Sequence, residues 1–433
     1  MNVLVCGAHG FVGQAVCTAL ARRGYRILKG IRHAKESDEF EVDYTTNLDP
    51  ASWTSKLRDI DVVINAVGIL IERAGQTFEL VHHRAPVALF EAACRAGVRH
   101  IVQISALGAH TGTTAYFKSK LAADEYLMSQ PVEHHILRPA LVYGPDGKSS
   151  RFFRTIAASP IHPLPAGGHQ WVRPIHVDDL AEIVVRLIDH VNLQPNAAVR
   201  SEARVDADTP AVLELVGHTR LEYKDMLAVY RRSMAFEPAW QFSIPRRFVD
   251  IAAKVCDRIP GSMLTRDTWH MLEQGSSAEV DTTARILGRP PAGIEMFIGP
   301  VEAMSLRQTA LAFWRSLSLR IALAITWLGT AVCSAFFYPK AESLALLARL
   351  HLHGGAALGL LYGASAIDAM IGVLTLTHPG KRLWIAQAFL VGLYSCIVAI
   401  TLPEFLWHPF GPILKNVPIL AVLGVLTMEE TTS

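Results

Sequence analysis

The stretch Val3-Leu4-Val5-Cys6-Gly7-Ala8-His9-Gly10-Phe11-Val12-Gly13 decides the fold. A short apolar strand runs into three glycines spaced three apart, and then into a run that reads as a helix to Arg23 with Gly24 as its stop. Bare backbone at a strand end, facing a helix N-terminus, suits a pyrophosphate. The first-turn N–H groups have no intrahelical partner, and the helix dipole favours an anion.

Working outward, strands and helices alternate. Strands are expected at Val3–Cys6, Tyr25–Ile31, Phe40–Val42, Asp61–Ala66, His100–Ser105 and His134–Val142. Helices are expected near Pro50–Leu57, at Phe78–Ala96 before Gly97, and at Tyr116–Ser129. Such alternation predicts an α/β, doubly wound parallel sheet covered on both faces. Ligands bind beyond the carboxyl ends of such strands. Gly7, Arg32, Asp43, Asn65, Ser105 and Pro139 all follow strand ends.

Composition bounds the remainder. The chain has 433 residues, 51% of them apolar and only 18% charged, against about 25% charged in an ordinary soluble protein. The deficit lies beyond residue 310. The net charge of +2, with no basic run interleaved with aromatics, gives no support to nucleic-acid binding. Six scattered cysteines and eighteen histidines lack metal-ligand spacing, so no metal is expected. The apolar start is about five residues, shorter than a signal-peptide core, which predicts a cytoplasmic N-terminal domain.

Further motifs carry a resemblance. Asn65-Ala66-Val67-Gly68, Ser105-Ala106-Leu107-Gly108, Tyr116-Phe117-Lys118-Ser119-Lys120, Arg138-Pro139-Ala140-Leu141-Val142-Tyr143-Gly144-Pro145 and Val177-Asp178-Asp179-Leu180-Ala181 follow the glycine turn in chain order. Together they resemble the short-chain dehydrogenase/reductase superfamily, in its extended or atypical, epimerase/dehydratase-like branch. The resemblance covers residues 1–190 well and 190–300 loosely. It implies a Rossmann-type fold with a nicotinamide dinucleotide held by Gly7, His9, Gly10, Phe11, Val12, Gly13, Arg32, Asp43, Asn65, Ala66, Val67, Gly68, Lys120 and Pro139. It also implies catalysis by Ser105, Tyr116 and Lys120. Tyr116 and Lys120 stand one helical turn apart, so the lysine's charge is expected to lower the phenol's pKa. Ser105 is expected to orient a substrate carbonyl. Arg32, followed by His33 and Lys35, suits a 2′-phosphate, which predicts NADP rather than NAD. One departure stands out. In Leu80-Val81-His82-His83-Arg84-Ala85, a histidine occupies the place where shorter members carry a relay asparagine. It either serves as a relay or leaves the relay absent.

Residues 191–305 carry no sharp motif. Helices are expected at Tyr223–Ala235 and Pro245–Arg258, Pro195 is one of several breakers, and Pro260–Thr265 reads as a loop over the site. By resemblance this segment is a small substrate lobe.

From residue 306 the chain reads as an all-α transmembrane bundle. Ile321–Tyr338 is 18 residues without a charge, Arg349–Lys381 encloses Asp368 alone, and Leu383–Pro403 is 21 residues without a charge. A bilayer span needs about 20 apolar residues. A fourth apolar stretch, Phe405–Met428, is broken by prolines. With four spans, Arg307, Arg315 and Arg320 fall on the same side as Lys381 and Arg382. The positive-inside rule makes that side cytoplasmic, giving a multi-pass inner-membrane protein. The segment His408–Pro418 resembles the end of DoxX-like four-helix domains. Asp368 is expected to line a pathway, to pair with a histidine such as His351 or His353, or equally to sit near a membrane interface.

The expected function is a membrane-tethered NAD(P)H-dependent oxidoreductase or epimerase-type enzyme acting on a lipophilic carbonyl or quinone. The alternative is a non-catalytic NADP(H)-binding scaffold, as in the complex I accessory subunit that this branch resembles. The expected division is 1–190 cofactor domain, 191–305 substrate lobe and 306–433 membrane domain.

Overall fold

The computed structural model describes residues 1–193, 209–259, 262–407, 411 and 413–430. Pro195, the start of the 260–265 loop, and His408, Pro409, Phe410 and Pro412 lie outside the described residues. The chain divides into two units, Met1–Ala310 and Leu311–Ser433.

The first unit is built on a seven-stranded parallel sheet in the order β11-β6-β5-β4-β1-β2-β3. The strands are β1 (Asn2–Cys6), β2 (Arg26–Ile31), β3 (Glu39–Glu41), β4 (Val62–Asn65), β5 (His100–Ile104), β6 (Glu133–Pro139) and β11 (Val212–Leu215). Three small ladders pair β7 (Val142–Tyr143) with β10 (Ile175–His176), β8 (Ile161–Pro165) with β13 (Trp240–Ile244), and β9 (Trp171–Val172) with β12 (Leu221–Glu222). Val3 on β1 is in register with Ile27 on β2 and Val62 on β4. The strand order reverses between β1 and β4, which opens a crevice at their carboxyl ends.

Helices cover both faces. On one face α1 (Phe11–Arg22) and α5 (Val177–Leu193) bury Val16, Leu20, Leu180 and Val184 against Val3, Val5, Ile64 and Val102. On the other, α2 (Ala85–Ala96) and α3 (Ala115–Met128) bury Leu89, Phe90, Ala123 and Leu127 against Leu4, Val63 and Ile101. Successive strand residues point to opposite faces and both faces are dry, so the strands read as continuous apolar runs.

Several boundaries differ from the sequence reading. The segment near Pro50 is a single 3₁₀ turn, Pro50–Trp53. Before α2 the chain forms a π-helix, Glu79–Arg84. Pro86 has no N–H to give to the His82 carbonyl, and the ladder slips, with Ala85 N donating to Leu80 O. The expected sixth strand breaks at Ala140 into β6 and β7. Strand β11 lacked a sequence signal; it pairs with β6, matching Val212 to Ile136.

The rest of this unit contains α4 (Lys148–Ala158), α6 (Tyr223–Ser233), α7 (Arg246–Cys256), α8 (Arg266–Gln274) and α9 (Asp281–Leu287). In the chain's last third are α10 (Pro300–Val332), α11 (Lys340–Ala348), α12 (Gly354–Thr377), α13 (Lys381–Thr401) and α14 (Asn416–Glu429). Three helical segments, Pro300–Phe337, Gly354–Thr377 and Lys381–Thr401, are long and apolar enough to cross a membrane. Among the described residues of the fourth stretch the longest helix is α14, whose 14 residues span about 21 Å, short of a bilayer core. Leu323, Trp327, Trp384, Val391 and Leu423 form the apolar centre of the second unit. A polar chain runs through it: Trp327 Nε1 donates to Gln387 Oε1 at 2.7 Å, and Gln387 Nε2 donates to Thr375 Oγ1 at 3.0 Å. Asp368 is buried on α12, and its Oδ1 has no hydrogen-bond partner among the described residues. Neither His351 nor His353 bonds to it there.

Candidate dinucleotide and catalytic site

The glycine turn is built by close approach. Gly7 takes φ +81°, the left-handed region that favours glycine. Its N–H donates to Gly30 O at 2.9 Å, and Gly10 N donates to Gly7 O at 2.8 Å. A Cβ on Gly13 would sit 2.1 Å from Gly7 O, and one on Gly7 would meet Val67 Cγ2 at 3.1 Å. Gly10 caps α1 without any side-chain bond to the first turn. This is a cradle of backbone N–H groups at a helix N-terminus, suited to a pyrophosphate.

The side chains singled out around the turn divide by where they point. Phe11 is turned toward the loop after β7; a Cβ on Gly144 would lie 2.6 Å from its ring. Val12 packs into the core behind the sheet. These two offer backbone, not side chain, to a ligand. His9 is exposed, with Nε2 3.3 Å from Glu39 Oε1. Glu39 also accepts from Lys35 N and Glu36 N, which ties the loop after β2 beside the turn. Sequence reasoning missed this carboxylate. Arg32 is exposed and forms no ion pair among the described residues. Asp43 Oδ1 accepts from Thr45 N and Thr45 Oγ1, both at 2.8 Å, closing an Asx turn.

Asn65 is fully buried. Its Nδ2 donates to Gln103 Oε1 at 2.7 Å, while its Oδ1 accepts from Tyr44 Oη at 2.8 Å and from Val67 N at 3.2 Å. Its amide therefore fixes the β4 strand end and aims Ala66, Val67 and Gly68 at the crevice. Pro139 is buried at the end of β6, its carbonyl accepting from Leu107 N at 2.9 Å.

Helix α3 presents Tyr116, Lys120 and Asp124 at successive turns. Thr114 caps it through Phe117 N. Tyr116 sits edge-on to Phe78 and His82, with ring centroids 5.7 and 5.3 Å away. Lys120 is buried, and its Nζ donates to Ile104 O at 3.0 Å. A Cβ on Gly68 would lie 3.4 Å from Lys120 Nζ and 3.6 Å from His82 Nε2. The lysine thus meets the loop after β4, near the strand-order reversal.

One expectation needs correction. Burial pushes the Tyr116 phenol up to about 12, with the Asp124 charge adding to it; the lysine's lowering effect is not what prevails. Burial in turn takes Lys120 down to about 8, partly countered by Asp124. Of the two readings left open for His82, the hydrogen bonds favour the one without a free relay. Its Nε2 accepts from Ile69 N at 3.0 Å, and its Nδ1 lies 3.1 Å from Ser119 Oγ, which already donates to Tyr116 O. The proton is therefore on Nδ1, and both ring nitrogens are engaged. Burial, with Lys120 adding, holds His82 well below the usual histidine range. His82 is a neutral brace between the β4 loop and α3, not a free relay.

Asp124 is the residue the sequence reading overlooked, although it continues the Tyr116, Lys120 spacing by four. Ser105 Oγ donates to Asp124 Oδ2 at 2.8 Å, and Arg138 reaches the same oxygen from Nε at 3.1 Å and from its terminal nitrogen at 3.0 Å. Burial raises Asp124 above the usual carboxylate range despite both bonds.

The sheet order, the glycine turn and the Tyr116–Lys120 pair define a dinucleotide-binding α/β domain of the short-chain dehydrogenase/reductase type. Residues 3–199 match the NAD dependent epimerase/dehydratase family, and residues 324–424 match the DoxX-like family. The chain carries an epimerase/dehydratase domain followed by a DoxX-like domain. A ceramide reductase of Caulobacter vibrioides is 29% identical over 189 residues, covering 42% of this chain and 59% of that protein. A divinyl chlorophyllide a 8-vinyl-reductase of Zea mays is 28% identical over 162 residues, covering 33% of this chain and 40% of that protein. The matches thus span less than two thirds of these curated relatives. A nucleoside-diphosphate-sugar epimerase from Staphylococcus aureus shares the fold, with TM-score 0.53 and 17% identity over 69% of this chain and 99% of that one.

Proposed function

We propose that the protein is a membrane-tethered NADP(H)-dependent reductase whose substrate is a lipophilic carbonyl or quinone. The observation that carries this reading is the meeting of Lys120, one helical turn from Tyr116, with the loop at Gly68, beside a glycine turn with no room for a Cβ at Gly13. In this reading the turn Gly7–Gly13 holds the pyrophosphate, Asp43 lies toward the adenine, and Arg32 takes the 2′-phosphate. Glu39 is met by His9 and two backbone N–H groups, and Arg32 has no carboxylate partner among the described residues. Ala66, Val67, Gly68 and Pro139 flank the nicotinamide, and Lys120 Nζ turns from Ile104 O to the ribose. When bound, the reduced nicotinamide supplies the hydride. Tyr116 Oη gives its proton to the oxygen of the carbonyl as that oxygen becomes an alkoxide. A phenol near 12 is protonated at neutral pH, which suits donation better than proton abstraction.

The relative named for reducing ceramide, a lipid, supports the substrate class, as does the DoxX-like membrane domain. We assign the cofactor domain to residues 1–190, the substrate lobe to 191–305 and the membrane domain to 306–433. The basic residues flanking the spans favour a cytoplasmic cofactor domain.

One observation favours a second reading, a scaffold that holds NADP(H) without turnover. Ser105 spends its hydroxyl proton on Asp124, so it cannot donate to a carbonyl without giving up that bond. Purifying the full chain in detergent, identifying its bound nucleotide by mass spectrometry and challenging it with lipid aldehydes, ketones and quinones tests the choice. Oxidation of NADPH by one substrate class supports the reductase. Retained cofactor that no member of the panel oxidises supports the scaffold.

A further inference from the structure

Helix α7 has an outer face that no described residue of its own unit covers. Its inner face is ordinary: Val249 and Ala253 pack with Trp269 and Leu272 of α8 and with Ile244 of β13. Phe248, Ile251, Val255 and Ile259, however, are each more than half exposed. Phe248, Ile251 and Val255, spaced 3 and 4 apart, form one stripe on a helix with about 100° per residue, and Ile259 follows in the turn after its end. Arg247 and Lys254 lie about a quarter turn away, and Arg258 lies in the turn just beyond the helix. These three cations are exposed and make no ion pair among the described residues. The acids of the helix are committed elsewhere: Asp250 accepts from Trp269 Nε1 at 2.7 Å, and Asp257 pairs with Arg266 at 2.6 Å. The neighbouring strand adds Trp240 and Phe242, exposed on the side of β13 that carries Ile244.

We propose that α7 is an interfacial helix that lies in the surface of an anionic lipid bilayer. Its apolar stripe enters the acyl boundary, while Arg247, Lys254 and Arg258 meet the anionic headgroups. An apolar face beside unpaired cations is the pattern that binds such a surface, and long basic side chains reach the headgroups as their stems stay in apolar surroundings. A bilayer is at hand, because the same chain carries three helices long and apolar enough to span one. The surface also sits close to the proposed site. Met271 on α8 and Tyr116 both pack against the cluster of Phe117, Ala106 and Ala109, and the same helix packs Trp269 and Leu272 against α7.

The test uses the full chain in nanodiscs, with benzoylphenylalanine replacing Ile251 and, separately, Phe248. The same replacement at the exposed Glu125 of α3 is the control. After irradiation, mass spectrometry reads phospholipid adducts. The expected result is lipid adducts at 251 and 248 and none at 125. The yield rises at least about threefold when phosphatidylglycerol is added to phosphatidylcholine, and the R247Q/K254Q/R258Q variant loses that rise. Adducts only to protein at both positions, whether a second copy or another segment of the chain, would overturn the proposal, as would no adduct at either. The readout needs neither cofactor nor turnover, so it stands or falls apart from the reductase reading. A chain that stays out of the discs contradicts the bilayer-spanning reading, and this proposal with it.

Discussion

Ser105 and Asp124 are joined by a buried hydrogen bond, Oγ to Oδ2 at 2.8 Å, on the same oxygen that Arg138 engages. The proposed carbonyl-orienting serine is thereby tied to an ion pair across β5, α3 and β6. Asp124→Ala leaves Arg138 buried without its acid, which should cost about 3–5 kcal/mol. Ser105→Ala should cost about 1 kcal/mol. Denaturant unfolding of both variants in detergent checks the order. Equal losses would mean that Arg138 finds another partner.

Lys120 sets a pH dependence. Its pKa is lowered to about 8 from an ordinary 10.5. Below about pH 8 both states hold the proton, and the native state bears the full burial penalty. Between about 8 and 10.5 the unfolded chain holds a proton that the native state has released, so stability rises with pH. Lys120→Met should abolish this rise, which paired unfolding curves at pH 7.5 to 10 would show. The same titration should weaken NADPH binding as pH rises through about 8 if the Lys120 ammonium reaches the ribose as proposed.

Gly13 tests the cradle. With a Cβ placed 2.1 Å from Gly7 O, Gly13→Ala has to push α1 off the turn. The variant should lose copurifying nucleotide altogether and melt lower than the parent. Gly24→Ala is the comparison. Gly24 has positive φ but open space around its Cβ position, so that variant should keep the nucleotide and lose only about 1 kcal/mol. Nucleotide content by mass spectrometry distinguishes the two.

Arg32 tests cofactor choice. Arg32→Ala should weaken NADPH roughly 10- to 100-fold, the worth of a charge-assisted bond, and leave NADH nearly unchanged. Fluorescence titration with both nucleotides reads this. Equal losses for the two would place Arg32 away from the 2′-phosphate.

The legible parts of this molecule are those fixed by local sequence. The glycine turn, the apolar strands and the Tyr116–Lys120 spacing could be read directly, since each depends on residues within one element. What escaped depended on contacts far along the chain. Tyr44 and Gln103 hold Asn65 from 21 and 38 residues away, and neither announces a partner. Strand β11 is four residues long and acquires its identity only by pairing with β6. The slip at Glu79–Arg84 had a signal in Pro86, and Asp124 had one in its spacing from Lys120. His82 was correctly singled out, but only its two hydrogen bonds reveal a brace.

The most direct test of the central claim is a comparison of the parent chain with Tyr116→Phe in lipid, following nicotinamide absorbance after mixing with the substrate class that the panel identifies. If Tyr116 is the acid, the variant binds NADPH within about threefold of the parent and turns over at least about 100-fold more slowly. Turnover that survives the loss of the phenol, or NADPH that stays unoxidised in the parent with every substrate, would contradict the account.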